Sequence, residues 1–171
     1  MKFHQACFLA GVLALASGCS SAGPGGTVEA SWTSSDSTVK PGHWAGRGEA
    51  TWCEREQRLV LLAMARDTGV GILLNVPRLE PGAFPIGDTV QSRPRALLVL
   101  RLPAEELEGY TASQGTLELT GTGRILRGRY TAQLARSTGG RSLALEGNFS
   151  RVPVVTDSAC VSSQSDTASV P

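Results

Sequence analysis

The stretch from Leu117 to Phe149 constrains the fold more than any other part of the chain. Leu117 and Leu119 fall on one side of an extended segment, with Glu118 opposite. Leu126, Gly128, Tyr130, Ala132 and Leu134 then share a side, while Arg127, Arg129, Thr131 and Gln133 point away. Leu143, Leu145, Gly147 and Phe149 repeat the pattern against Ser142, Glu146 and Asn148. Side chains alternate faces along a strand, so each segment carries one apolar and one polar face. Gly121-Thr122-Gly123 and Thr138-Gly139-Gly140 supply the turns between them. Three such strands read as an antiparallel meander with one face on a core and one in water.

The preceding residues support more strands of the same length. Thr27 to Trp32 alternates, with Val28, Ala30 and Trp32 on one side. Thr33 to Ser37 is a polar loop and Pro41-Gly42 a turn signal, after which Ala45 to Cys53 roughly alternates. Leu59 to Ala65 is unbroken apolar sequence. A helix over 56–66 suits its leucine, alanine and methionine. However, Asp67-Thr68-Gly69 and a second apolar run, Val70 to Val76, follow at once, which favours a buried hairpin. Pro81-Gly82 and Pro85 interrupt the chain around Phe84 and Ile86, and Ala96 to Leu102 lies between Pro94 and Pro103. Glu105 to Tyr110 reads as a turn of helix or a loop. About eight or nine short strands with glycine and proline punctuation predict an all-β domain, an antiparallel β-sandwich or partly closed barrel.

The amino end has a different character. Lys2 precedes an apolar run from Ala6 to Ala16 that ends in Ser17-Gly18-Cys19. The run is about half the length needed to span a bilayer, and its layout is that of a secretory signal. Ala16-Ser17-Gly18 before Cys19 resembles the lipobox of bacterial lipoproteins, although leucine is commoner there than Ala16. The resemblance implies cleavage before Cys19, a lipid on its thiol, and acylation of the new amino terminus. Ser20 stands where aspartate would imply retention at the inner membrane. The expected location is therefore the cell envelope, as an outer-membrane lipoprotein facing the periplasm or the cell surface. An ordinary cleaved leader, releasing a soluble periplasmic protein, is the alternative.

The body carries a second resemblance. Gly82-Ala83-Phe84-Pro85-Ile86-Gly87, Tyr110-Thr111, Gly115-Thr116-Leu117-Glu118-Leu119-Thr120, Gly128-Arg129-Tyr130-Thr131-Ala132 and Leu145-Glu146-Gly147-Asn148-Phe149 occur in that order. Over residues 82–150 the chain is similar to small β-rich, uncharacterised lipoproteins of bacteria. That likeness implies the fold class and supplies no catalytic residue. The expected organisation is a leader at 1–18, a flexible tether at 19–26, a single domain at 27–160 and a polar tail at 161–171.

Charge and cysteine usage narrow the function classes. The chain has 16 basic and 15 acidic residues, and loss of Lys2 with the leader brings them level. That balance argues against a nucleic-acid partner. Of four cysteines, Cys7 belongs to the leader and Cys19 to the lipid, which leaves Cys53 and Cys160. In an oxidising compartment these two are expected to pair. A metal site or a reactive thiol is the other reading, and without a histidine pair the two cysteines make a poor zinc site.

No cofactor, metal or catalytic constellation is expected. His43, in Pro41-Gly42-His43-Trp44, is the one histidine beyond the leader and reads as a surface residue. The carboxylate pairs Glu49 with Glu54, Asp67 with Asp88, and Glu118 with Glu146 are formal glycosidase candidates. Glu118 and Glu146 read more simply as cross-strand partners of Arg127 or Arg129. Arg124, Arg127, Arg129, Arg136, Arg141 and Arg151 fall in one segment with Glu146 as its single acid. Arg124, Arg127, Arg129, Arg136 and Arg141 are the candidate anion-facing surface, toward a lipid headgroup or an acidic envelope protein. A solvated face balanced by Glu105, Glu106 and Glu108 is the plainer reading. Trp32, Trp44 and Trp52 form either core anchors or a sugar-stacking row. The resulting expectation is a lipid-anchored envelope protein with a non-enzymatic structural or binding role. The alternatives are a carbohydrate- or apolar-ligand-binding module, or a hydrolase whose site carries no motif.

Overall fold

The computed structural model describes residues 25–36, 39–87, 94–103, 108–136, 140–158 and 160. The leader, Cys19, most of the tether, Asp88, Glu105, Glu106 and the 161–171 tail lie outside the described residues. Nine strands follow in chain order among the described residues. They are β1 (Gly26–Ser34), β2 (Gly42–Cys53), β3 (Arg58–Ala65), β4 (Thr68–Asn75) and β5 (Gly82–Ile86), then β6 (Arg95–Leu102), β7 (Glu108–Gly121), β8 (Ile125–Arg136) and β9 (Ser142–Asp157). No helix occurs among the described residues. The strands form one closed ring in the order β1-β2-β3-β4-β6-β5-β7-β8-β9, with β9 returning to β1. The ring is uneven in section, between a sandwich and a barrel, as the all-β expectation allows.

The β7–β8–β9 meander forms with the inner face that its alternation predicts. Leu117, Tyr130 and Gly147 align across it on the inner face. Glycines opposite aromatics give this sheet its close packing. Gly147 lies beneath the Tyr130 ring and Gly128 beneath Phe149, and a Cβ at either site would overlap its ring. The Tyr130 hydroxyl reaches past Gly147 and donates to the Glu29 carbonyl of β1 at 2.8 Å. Burial, and secondarily the Glu29 carboxylate, push the Tyr130 phenol far above its ordinary pKa.

Two parallel contacts depart from the antiparallel expectation. One is a single pair, Ile86 with Ala96, where the short β5 is inserted between β6 and β7. The other closes the ring. β1 begins at Gly26, opposite Gly48, so β2 continues past it from Glu49 to Cys53. β9 continues past β1 as well, and its Val154–Asp157 steps in beside Ala50–Cys53 in parallel. Arg151, at φ 54°, marks the bend where β9 makes this shift. The Cys53–Cys160 disulfide joins the last paired residue of β2 in this segment to the chain just after β9.

Two local expectations are corrected. Glu108–Tyr110 is strand rather than helix or loop, because Tyr110 is a fully buried core residue paired to Leu100 of β6. β2 starts at Gly42 rather than near Ala45, because Gly42 pairs with Trp32 and lies beneath its ring. The hairpin of β3 and β4 forms, but only one of its faces is interior. Leu59, Leu61, Ala63, Val70, Ile72 and Leu74 fill the core, while Leu62 and Met64 are about half exposed.

The interior is filled by side chains, among them Tyr110, Tyr130, Phe149, Leu98, Leu117 and Leu134. Its outer face is polar across β7, β8, β9 and β1. A membrane-spanning barrel has the reverse distribution, an apolar exterior around a polar lumen. Trp44 belongs to the core, and Trp32 and Trp52 pack against it half-buried. The tryptophans are therefore anchors rather than an exposed stacking row.

Candidate functional site

The outward side chains of β7, β8, β9, β1 and β2 lie in straight rows across the sheet. One row runs Thr116, Thr131, Glu146, Ser31, His43. A second runs Glu118, Arg129, Asn148, Glu29, and a third Gln114, Gln133, Ala144, Thr33. These rows line two adjoining open recesses of about 620 and 590 Å³, which share Ser31, Thr116, Thr131 and Glu146. Together they make one groove over the wet side of the meander. The β-bulge between Ala112 and Gln114 bends β7 at its edge.

Hydroxyl and amide groups dominate the groove, and most of its charges are already engaged. Arg129 Nε donates to Glu118 Oε2 at 2.7 Å, directly across the β7–β8 pair. Asn148 Nδ2 donates to Glu29 Oε2 at 3.1 Å. Ser31 Oγ and His43 Nδ1 form a 3.0 Å hydrogen bond between β1 and β2. Glu29, Glu118 and Glu146 outnumber Arg129, so the groove is mildly acidic. It suits a ligand that offers hydroxyl, amide or cationic donors.

The Ser31–His43 pair has the residue types of a nucleophile and a base. The sheet works against that use. β1 is paired on both sides, to β2 and β9, so the ladder engages the backbone amides that could serve a developing oxyanion. Glu118, one member of a carboxylate pair considered from sequence, is held by Arg129, which is the cross-strand partnership expected of it. Glu146 lies two residues from Asn148 in the same groove.

The five arginines of the candidate anion-facing surface are not brought together. Arg124, Arg127 and Arg129 lie at the β7–β8 end of β8, and Arg136 and Arg141 at the β8–β9 end. Seven residues of strand, roughly 24 Å, separate Arg129 from Arg136. Arg129 is paired with Glu118, and Arg141 lies 3.5 Å from Asp36. Arg124 and Arg127 remain as exposed cations at one rim.

Cys53 and Cys160 are bonded to each other. Glu56 lies beside them, and the three side chains place their ligand atoms within 4.8 Å of one another. With both sulfurs in the disulfide, only the carboxylate remains as a donor, which does not suffice to hold a metal ion. Sequence reasoning missed the groove, because its rows come from five strands and no segment contributes more than three or four of its residues. The period-two polar positions were the available signal, and they read simply as the wet face. Comparison with known protein families, curated proteins and solved structures gives no match for this chain.

Proposed function

We propose that the chain is a lipid-anchored protein of the bacterial cell envelope with a non-enzymatic binding role, and that the polar groove is its binding surface. The observation that carries the binding role is the arrangement of this groove. Its hydroxyls and amides stand in cross-strand rows, Glu118 is held by Arg129, and the flanking amides belong to the ladder. Such a surface recognises a polar ligand by hydrogen bonding and gives no group the freedom of an attacking nucleophile. A filled core favours this reading over an apolar cargo held inside the barrel. The inward tryptophans favour it over a sugar-stacking module.

Anchoring rests on the leader and on Cys19 after Ala16-Ser17-Gly18. In cells fed a labelled palmitate analogue, the wild-type protein is expected to take up label and to partition with membranes, and Cys19→Ser to lose both properties. Label retained by the variant, or absent from the wild type, overturns the anchor. The Ser31–His43 hydrogen bond is the one observation that favours a hydrolase. Ester hydrolysis by the purified protein that disappears in Ser31→Ala would replace the non-enzymatic reading.

A further inference from the structure

The outer face of β3, β4 and β6 is unlike the rest of the exterior. Val60, Leu62 and Met64 of β3, Leu73 of β4, and Leu97 and Val99 of β6 all point outward. The register sets them side by side. Val60, Leu73 and Leu97 form one row, and Leu62, Gly71 and Val99 the next. Leu62 is 56% exposed, Met64 49% and Val99 47%. Gly69 and Gly71 keep the middle strand low: Met64 lies over Gly69, and Val99 closes over Gly71. The result is a continuous apolar surface with a shallow recess of about 370 Å³. Contiguous apolar surface of this kind marks an interaction site rather than ordinary exposure.

Two observations identify what covers it. The first is charge. Arg47 and Arg101 stand in the Met64 row, Arg58 and Arg95 in the row at the opposite end, and Arg66 in the β3–β4 turn. The acids among the described side chains here are Glu49, Asp67 in the β3–β4 turn and, at the Arg58 end, Asp157 in the same row with Glu54 and Glu56 in the β2–β3 turn, so the excess of positive charge lies at the Met64 end. An apolar centre with a cationic edge at the Met64 end matches a membrane of anionic lipids.

The second observation is where the chain enters the domain. Thr27 pairs with Arg47, and Arg47 with Met64. The start of β1 is therefore two strand spacings, roughly 10 Å, from the Met64 end of the apolar face. The Arg47 side chain lies along Gly25. Residues 20–24 link Cys19 to Gly25, a reach of at most ~20 Å. A lipid on Cys19 would hold this face, more closely than the polar groove, against the bilayer.

We infer that the β3–β4–β6 face rests on the surface of an anionic membrane, with Leu62, Met64 and Val99 against the acyl boundary and Arg47, Arg66 and Arg101 on lipid phosphates. The inference rests on the anchored reading for the membrane's nearness, and on the face itself for its contact. Docked this way, the barrel turns its polar groove, on strands across the ring, away from the lipid.

Met64, the only methionine after Met1, reports on the face directly. Mature lipidated protein is reconstituted in vesicles of phosphatidylcholine, with or without phosphatidylglycerol. Its oxidation by chloramine-T, a charged oxidant confined to water, is followed at Met64 by mass spectrometry. Oxidation is expected to be about fivefold slower on the anionic vesicles and to recover in high salt. Arg47→Glu combined with Arg101→Glu should cancel the slowing while the circular dichroism stays that of the wild type. The salt series uses the wild-type chain and needs no variant to fold. Equal rates on the two vesicles overturn the inference. So does slowing that follows protein density instead of lipid charge, which would put a second copy on the face. If Cys19 proves to carry no lipid, the same vesicles are added to the processed protein. Slowing on anionic lipid then sustains the face without the anchor, and its absence overturns both.

Discussion

Tyr130 joins three strands through one side chain. Its ring occupies the space that Gly147 leaves on β9, and its hydroxyl donates to Glu29 on β1. Tyr130→Phe removes that donor and leaves the ring in place, with an expected loss of about 1 kcal/mol in denaturant unfolding. The same residue carries a pH signature. Its folded pKa lies above the ordinary value of 10.0, so the unfolded chain ionises first. The contribution is complete below about pH 10 and is lost as pH rises toward the folded pKa. Wild-type stability should therefore fall more steeply above pH 10 than that of Tyr130→Phe. Equal slopes would separate the alkaline loss from this phenol. Gly147→Ala tests the other half of the contact. Its Cβ meets the Glu29 carbonyl and the Tyr130 hydroxyl, with an expected cost of about 1–3 kcal/mol by thermal melting.

At the scale of elements, legibility followed the contrast between faces. β8 alternates from Leu126 to Leu134, and the first half of β9 does so but for Ala144, so their inner face could be read directly from sequence. β3 is apolar on both faces. Its composition marked a strand without saying which residues would be interior, and an unbroken run of this kind reads as wholly buried. In a single-layered ring only one face can be interior, so Val60, Leu62 and Met64 are left outside. The far end of β9 was not legible at all. Its partner there, Ala50–Cys53, lies about a hundred residues earlier and is reached only because β1 starts late, at Gly26. The groove was hidden for a related reason. Thr116, Thr131, Glu146 and Ser31 become neighbours through register across four strands, and none of them is distinctive on its own.

For the whole molecule, the ring has a seam, and the disulfide sits on it. Cys53 and Cys160 are 107 residues apart and close the parallel contact of β2 with β9. Linking a loop of that length restricts the unfolded chain by about 4–5 kcal/mol on the chain-entropy model. Cys53→Ser with Cys160→Ser should lower unfolding free energy by several kcal/mol, measured in urea. Hydrogen exchange should rise first in Val154–Asp157, which lies beyond the β8–β9 pairing and has β2 as its strand partner, whereas the end of β2 is also paired to β3. Uniform loss of protection over β7 and β8 instead would mean that the seam is not the weak point.

What the sequence by itself determined is local and periodic: the all-β class, the position of most strands and the inner face of the meander, with the pairing of Cys53 and Cys160 as an expectation that the structure bears out. These follow from alternation, from turn residues and from counting, which require no knowledge of distant neighbours. Only the tertiary structure decided how the ring closes, that the arginines of β8 divide between its two ends, and that the exterior has a polar groove on one side and an apolar, arginine-rimmed face on the other. Those properties arise from register, where a residue's neighbour across the sheet is set by every strand between them. Alternation gives a side chain its face, and closure of the ring gives it its company.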